Sequence, residues 1–424
     1  MTRPIITHHA APRLDRSALP YGSMGPVWDR IPNEGECMEY RQLGRTGLMV
    51  SEIGFGGEWM GGKSDDEVRA LCDHCLAAGV NLLDCWMADP QIRSALGAGI
   101  AHARDRWIVQ GHAGAVWQDG QYVRTRDMAL VRPAFEDLLA RLRTDYLDLG
   151  MIHYVDGVEE YHGIMDGPFL AYLQELRAAG TVRHIGLSTH NPQVAQLAAE
   201  DGRIEAIMFS VNPAFDLLPA TASLEDVLAD DAVSAGVYTA EGLAGMDPVR
   251  ERLYATCAAR GVGLTAMKGY AGGRLLAAET SPFGVALTPV QCLHYALTRP
   301  AVASVLVGAE TCAHIDDAVA YETASAAERD YASVLAGAPA HAWYGQCTYC
   351  GHCAPCSAGI DIAQVNKFYD LAVLQPDAPS GAREHYRDLP VGADACTACA
   401  LCESRCPFGV PIAERMAQAA ELFG

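Results

Sequence analysis

Basic charge is scarce in this 424-residue chain: 31 Lys and Arg stand against 52 Asp and Glu, a formal net charge of −21. A surface of that sign repels phosphate backbones and anionic headgroups, so neither nucleic acid nor a membrane is an expected partner. Long apolar runs are missing as well. No stretch approaches the roughly 20 residues of a membrane helix. The opening MTRPIITHHAAPRLDRSALPYGSMG has no apolar signal core and no twin-arginine pair. The expected location is therefore cytoplasmic, where cysteines stay reduced.

Cysteine, by contrast, is abundant, with fifteen in the chain. Eight fall in two tight runs near the end: Cys347, Cys350, Cys353 and Cys356, then Cys396, Cys399, Cys402 and Cys406. The second run reads CTACALCESRCP, the C-x2-C-x2-C-x3-C-P spacing of bacterial ferredoxins, in which the fourth cysteine of each run serves the other run's cluster. Structural zinc sites pair two C-x2-C knuckles across a loop and do not need the third cysteine. Disulfides need an oxidising compartment. The expectation is two 4Fe–4S clusters on these eight ligands, with Cys356 the weakest because Ser357 follows it where proline is usual.

Residues 1–37 are rich in Pro and Gly without periodicity and read as an N-terminal extension. MEYRQLGRTGLMVSEIGFGG then alternates apolar and polar residues across a glycine turn, which predicts a short hairpin. From there one unit repeats: an amphipathic helix, a glycine or polar stop, a short apolar strand. Ser64–Glu67 is a capping box opening a helix through Ala78, stopped by Gly79. EIGFG, VNLLD, WIVQG, YLDLGMI, VRHIGLS, AIMFSV, VGLTAM and ASVLVG are the strands. Eight such units predict an α/β chain folded as a (β/α)8 TIM barrel, ahead of a doubly wound sheet, for which no G-x-G-x-x-G follows the first strand. The expected domains are the extension 1–37, a barrel over 38–325, and a small helical two-cluster ferredoxin-like domain over 326–424.

Residues just past each strand line the mouth of such a barrel. In order they are Glu58 and Trp59, Asp84 to Asp89, His112, His153 and Tyr154, Ser188 and His190, Asn212, Lys268 and Tyr270, and Gly308. His112, His153 and His190 with Asp84 or Glu58 form a candidate metal set, the alternative being acid–base or packing histidines. Gly272, Gly273 and Arg274 after the seventh strand and Gly308 after the eighth occupy the usual phosphate loops of a barrel, or are simple turns. Cys85 is a candidate nucleophile or a buried filler, and Cys72 and Cys75 read as core. Lys268 could form a Schiff base, although an anion contact is the plainer role.

Residues 38–325 resemble the aldo/keto reductase family. The resemblance rests on MEYRQLGRTGLMVSEIGFGG, VNLLD, LRTDYLDLGMIHY, HIGLSTHNP and ASVLVGAET, in that order. With the cysteine-rich tail, the chain is similar to the family's iron–sulfur-fused branch. The resemblance implies hydride transfer with an Asp–Tyr–Lys–His tetrad. Asp84 and His153 match the family's Asp and His. The tyrosine position holds Asp89 and the lysine position holds His112, so an Asp–His arrangement would have to move the proton. The nicotinamide pocket departs too. Ser188-Thr189 replaces Ser-Asn, while Met208 and Met267 fall at the carboxamide and stacking positions.

The candidate catalytic residues are thus Asp84, Asp89, His112 and His153. Ser188, Asn212, Lys268, Gly272, Gly273, Arg274 and Gly308 are the candidate cofactor contacts. NADH is favoured over NADPH because Glu310 would repel a 2′-phosphate, and a flavin is the alternative. The expected function is an oxidoreductase acting on a small carbonyl or hydroxy compound, sugar-like compounds included, and fed by the clusters from an external ferredoxin or flavoprotein. The alternatives are a lyase, dehydratase or isomerase with structural or sensory clusters, and a non-enzymatic electron-transfer subunit.

Overall fold

The structure is a computed structural model that describes residues 38–217, 246–338, 345–374 and 381–424. The predicted N-terminal extension lies outside the described residues.

The predicted hairpin forms first: β1 (Tyr40–Gln42) pairs antiparallel with β2 (Met49–Ser51). Its loop carries Gly44 at φ +52, where a Cβ would stand 2.3 Å from the amide of Gly263, so only glycine fits. The hairpin plugs the floor of the barrel. Leu43, Leu48 and Val50 pack there with Leu82, Ile108, Leu149 and Met151 from the strands above.

Parallel strands β3 (Ile53–Gly56) and β4 (Leu82–Cys85) follow, then β5 (Ile108–Ala113). An excursion comes next, the antiparallel pair β6 (Ala115–Gln118) and β7 (Gln121–Arg124). The series resumes with β8 (Leu147–Ile152), β9 (Val182–Thr189), β10 (Ala206–Ser210), β11 (Gly263–Met267) and β12 (Val302–Gly308). Strands β3, β4, β5, β8, β9, β10, β11 and β12 close into one barrel, with Gly308 paired to Gly56 across the seam. These are the eight strands the sequence predicts. Parallel strands covered on both faces are continuous apolar runs, which is why the pattern is readable.

Helices cover the outside of the barrel. The Ser64–Glu67 capping box is formed and opens Asp65–Ala77. Asn191 and Asp247 cap the helices that follow β9 and precede β11. Cys72, Cys75 and Cys85 are buried in the apolar layer between barrel and helices. Burial pushes the Cys72 and Cys85 thiols up to about 12, as fits packing residues rather than nucleophiles.

Beyond the barrel, helices Tyr331–Ala336, Ile362–Leu374, Gly381–Arg387 and Ile412–Phe423 form a C-terminal helical layer. It shares a second core with the barrel, in which Phe215, Leu275 and Tyr295 meet Tyr331, Val365, Phe408 and Met416. Arg299, almost fully buried, ties the two together by donating to the Thr348 carbonyl, as does the Tyr331 hydroxyl.

The ferredoxin-like part of the predicted fold is corrected here. The eight cysteines gather in two sets: Cys347, Cys350, Cys353 and Cys406 line one small cavity, and Cys356, Cys396, Cys399 and Cys402 line another. Among the described residues, however, no three or more His, Cys, Asp or Glu side chains stand where they could hold a metal ion. The assignment of two 4Fe–4S clusters to these cysteines is overturned by that finding. The supported architecture is a closed eight-stranded parallel barrel with C-terminal helices.

Candidate active site

The strand ends open on a cavity of about 460 Å³ at the barrel mouth. Its floor is apolar, with Met208 from β10, Met267 from β11 and Leu306 from β12. One wall is a chain of hydrogen-bonded polar side chains from β4, β5 and β8. Asp84, at 2 % exposure, accepts at Oδ1 from Gln110 Nε2 at 2.7 Å and meets His112 Nε2 at 2.9 Å. His112 Nδ1 is 3.0 Å from His153 Nδ1, and His153 Nε2 is 2.6 Å from the hydroxyl of Tyr122.

With Asp84 ionised and both histidines neutral, one proton arrangement satisfies every link. An ionised Asp84 accepts from His112 Nε2–H, so in neutral His112 the Nδ1 lone pair accepts from His153 Nδ1–H. His153 Nε2 then accepts from the Tyr122 O–H. The charge of an added proton has one favourable place. Burial holds His153 well below the usual histidine range, and His112, Arg126, His190 and Arg124 push it further down. His112 alone faces a carboxylate, so an imidazolium in this chain rests on His112 against Asp84.

Aromatic rings lock the chain in place. The Trp86 ring lies parallel to His153, 9° between planes and 5.7 Å between centroids, and its indole N–H donates to Glu58 Oε2 at 2.8 Å. Tyr122 stands edge-on to Trp86 at 5.6 Å. Across the cavity His190 pairs with Asp156, 3.2 Å from Nδ1 to Oδ2, beneath the edge of Tyr154. Burial raises the Asp156 carboxyl, but hydrogen bonds from His190 and Thr189 outweigh it and hold it below the usual range. His190 is therefore held by its own carboxylate, and with no metal-holding group among the described residues the three-histidine metal reading is set aside.

The structure sorts the sequence-derived candidates. Asp84, His112, His153, Ser188, Lys268, Gly272, Gly273 and Gly308 line the cavity. Asp89 does not: its carboxylate accepts from Gln91 N at 2.7 Å and caps helix Pro90–Ile100. Asn212 is wholly buried below the mouth, donating to the Lys268 carbonyl and accepting from Phe215 N. Arg274 sits in the turn Ala271–Leu276 and is not a lining residue. Gly308 has a steric role, since a Cβ there would stand 2.6 Å from Trp59 Nε1.

Tyr122 was not among the candidates. It lies on the β6–β7 excursion, opposite Trp117, beside a two-residue turn in which Asp119 (φ 53) and Gly120 (φ 77) are both left-handed. That is a type I′ hairpin turn, and Asp-Gly between alternating residues in VWQDGQYV is its sequence signal.

Residues 52–225 match the model of the aldo/keto reductase family. The chain is 28% identical over 286 residues to the uncharacterised oxidoreductase YqkF of Bacillus subtilis, covering 64% of this chain and 87% of that one. It is 24% identical over 308 residues to L-galactose dehydrogenase of Arabidopsis thaliana, covering 68% and 88%. Among solved structures, the holo form of the aldo-keto reductase AKR11C1 from Bacillus halodurans superposes with a TM-score of 0.53 at 22% identity, over 69% of this chain and 94% of that one. That last likeness is one of fold. The chain is an enzyme, an aldo/keto-reductase-like oxidoreductase. With no metal-holding set among the described residues, the reason for an external ferredoxin or flavoprotein partner, and for structural or sensory clusters, falls away. No described helix is long and apolar enough to cross a membrane.

Proposed function

We propose that this chain interconverts a carbonyl and a hydroxyl group on a small organic substrate held in the barrel mouth, with Asp84, His112 and His153 holding and moving the proton. The observation that carries this reading is the unbroken hydrogen-bonded chain from Asp84 Oδ1 to His153 Nε2, at 2.9 and 3.0 Å, in a mostly apolar cavity. Reduction of a carbonyl adds a proton to its oxygen, and alcohol oxidation removes one. The chain supplies either need: protonated, it carries an imidazolium on His112; neutral, it can take a proton up. Asp84 and His112 act through His153 and are positioning residues.

A nicotinamide fits the remaining surface. The Ser188 hydroxyl accepts from Tyr154 N at 2.8 Å and keeps its own O–H free to donate. Gly273, at φ +89, faces open space, and Lys268 supplies a cation for a phosphate. Ser188, Lys268, Gly272 and Gly273 would hold the cofactor over the Met208–Met267 floor. Bound there, it would supply the hydride. Glu310 at the rim opposes a 2′-phosphate, which favours NADH. The fourteen described cysteines are free thiols, which suits a reducing compartment such as the cytoplasm.

The test is reduction of a panel of small aldehydes, ketones and aldoses with NADH and with NADPH. Turnover that survives in the wild type and falls at least about 100-fold in His153→Gln supports the reading. Equal turnover in the two proteins would sink it.

A further inference from the structure

We propose that Tyr122, carried by the β6–β7 hairpin, is a catalytic residue of this site: the group that hands the proton to, or takes it from, the substrate oxygen. The proposal rests on the carbonyl–hydroxyl reading above and names the residue at which the relay meets the substrate.

The relay does not reach the cavity through a histidine nitrogen. Both nitrogens of His112 and both of His153 are engaged within the chain, and the outer one, His153 Nε2, is spent on the Tyr122 hydroxyl at 2.6 Å. A proton leaving the relay for the cavity therefore passes through that hydroxyl. Tyr122 lines the cavity, and its oxygen has acceptor capacity left after donating to His153. At the position where the family's tyrosine is expected, Asp89 is occupied in capping a helix.

The hairpin is built to hold this ring. Its base is closed by Thr125 N donating to the Gly114 carbonyl at 3.0 Å and by buried Arg93 donating to the Ala115 carbonyl at 3.2 Å. The flanking arginines tie it to the loop after β8: Arg124 donates to the Tyr154 carbonyl, and Arg126 to the carbonyls of His153 and Tyr154. The residue that holds Tyr122 in register is thus bonded to the backbone of the histidine it serves. Burial raises the Tyr122 phenol above its usual value, with Arg124 and Arg126 opposing, so it stays protonated and able to donate.

The step balances as follows. In oxidation, the substrate O–H proton passes to Tyr122 Oη while the Tyr122 proton passes to His153 Nε2. His153 Nδ1–H passes to His112 Nδ1, leaving an imidazolium against the Asp84 carboxylate. A nicotinamide held by Ser188, Lys268, Gly272 and Gly273 would, in its oxidised form, supply the acceptor for the hydride from the substrate C–H carbon, the C=O bond forming as the O–H proton leaves. Reduction runs the same transfers backwards and returns His112 to neutral.

Tyr122→Phe keeps the ring edge-on to Trp86 and His153 and deletes the hydroxyl alone. In the full chain with its preferred carbonyl and NADH, kcat should fall about 10²–10⁴-fold while KM changes less than about threefold. Independently of turnover, the Nε2 resonance of His153 in protein labelled with ¹⁵N-histidine should move in Tyr122→Phe, because that nitrogen loses its O–H donor. If Tyr122→Phe retains kcat while His153→Gln loses it, Tyr122 is not the donor and the functional reading stands. If both variants retain kcat, or the wild type turns over no carbonyl, the reading and this proposal fall together. An unmoved His153 resonance also overturns the proposal, since the hydrogen bond it depends on would be absent.

Discussion

Asp84→Asn isolates the charge at the far end of the relay. Asp84 is 2 % exposed, and its Oδ1 serves both Gln110 and His112. The amide is nearly isosteric and can still accept through its oxygen, so packing around β4 is preserved. What is lost is the negative charge facing the imidazolium that forms when the relay takes up a proton. A hydrogen bond to a charged group contributes about 1.5–3 kcal/mol. At about 1.4 kcal/mol per decade, its loss should slow catalysis by about 10- to 150-fold. The exposed face of the cavity is untouched, so KM should hold. Steady-state kinetics of the purified variant against its preferred carbonyl, with circular dichroism to confirm the fold, reads this directly. A variant with wild-type kcat would show that no charge develops on His112, and the relay would be refuted. A rise in KM at constant kcat would instead place Asp84 in substrate binding.

Three further expectations follow from other parts of the molecule. Burial, aided by Arg329, Arg299 and Arg41, lowers His294 from 6.5 to about 4. The unfolded chain therefore binds the extra proton first. Stability is fully present above about pH 6.5 and is lost as pH falls toward 4, by about 3 kcal/mol at 1.36 kcal/mol per pKa unit. Urea unfolding across that window should show His294→Asn losing less stability than wild type, and equal slopes would contradict it. Glu310→Gln removes the rim carboxylate and should improve kcat/KM for NADPH relative to NADH by about fivefold, the worth of about 1 kcal/mol between unit charges in water; an unchanged ratio would place the adenosine phosphate elsewhere. Gly114→Ala puts a Cβ 2.5 Å from Arg126 Nη1 and 3.0 Å from the Thr125 carbonyl at φ +96, so it should displace the hairpin and lower kcat far more than melting temperature. A change in melting temperature alone would count against the hairpin's role.

The barrel was legible because each strand is an apolar run bounded by a polar end, and because strand ends in a parallel barrel converge on one rim. That geometry alone brings Asp84, His112 and His153 together from separate strands. Short-range signals were read less well. Asp89 precedes Pro90 and opens a helix, so its carboxylate belongs to the backbone below it rather than to the cavity. Asn212 holds the Lys268 carbonyl in the same way. Tyr122 escaped because it sits outside the strand–helix rhythm, on an insertion whose Asp-Gly turn was present but unread. The cysteine runs show another limit. The cysteines do gather in two sets of four, but holding a metal takes finer placement than spacing reports, and no group of three or more that could hold one is found among the described residues.

The central claim is that one proton enters or leaves the barrel mouth through the Asp84–His112–His153 relay. Its most direct test is kcat as a function of pH in both directions on one carbonyl–alcohol pair. Reduction starts from the protonated relay and oxidation from the neutral one, so kcat for reduction should fall with rising pH while kcat for oxidation rises. His112→Gln should abolish both dependences. Profiles that move together, or that persist unchanged in His112→Gln, would contradict the account.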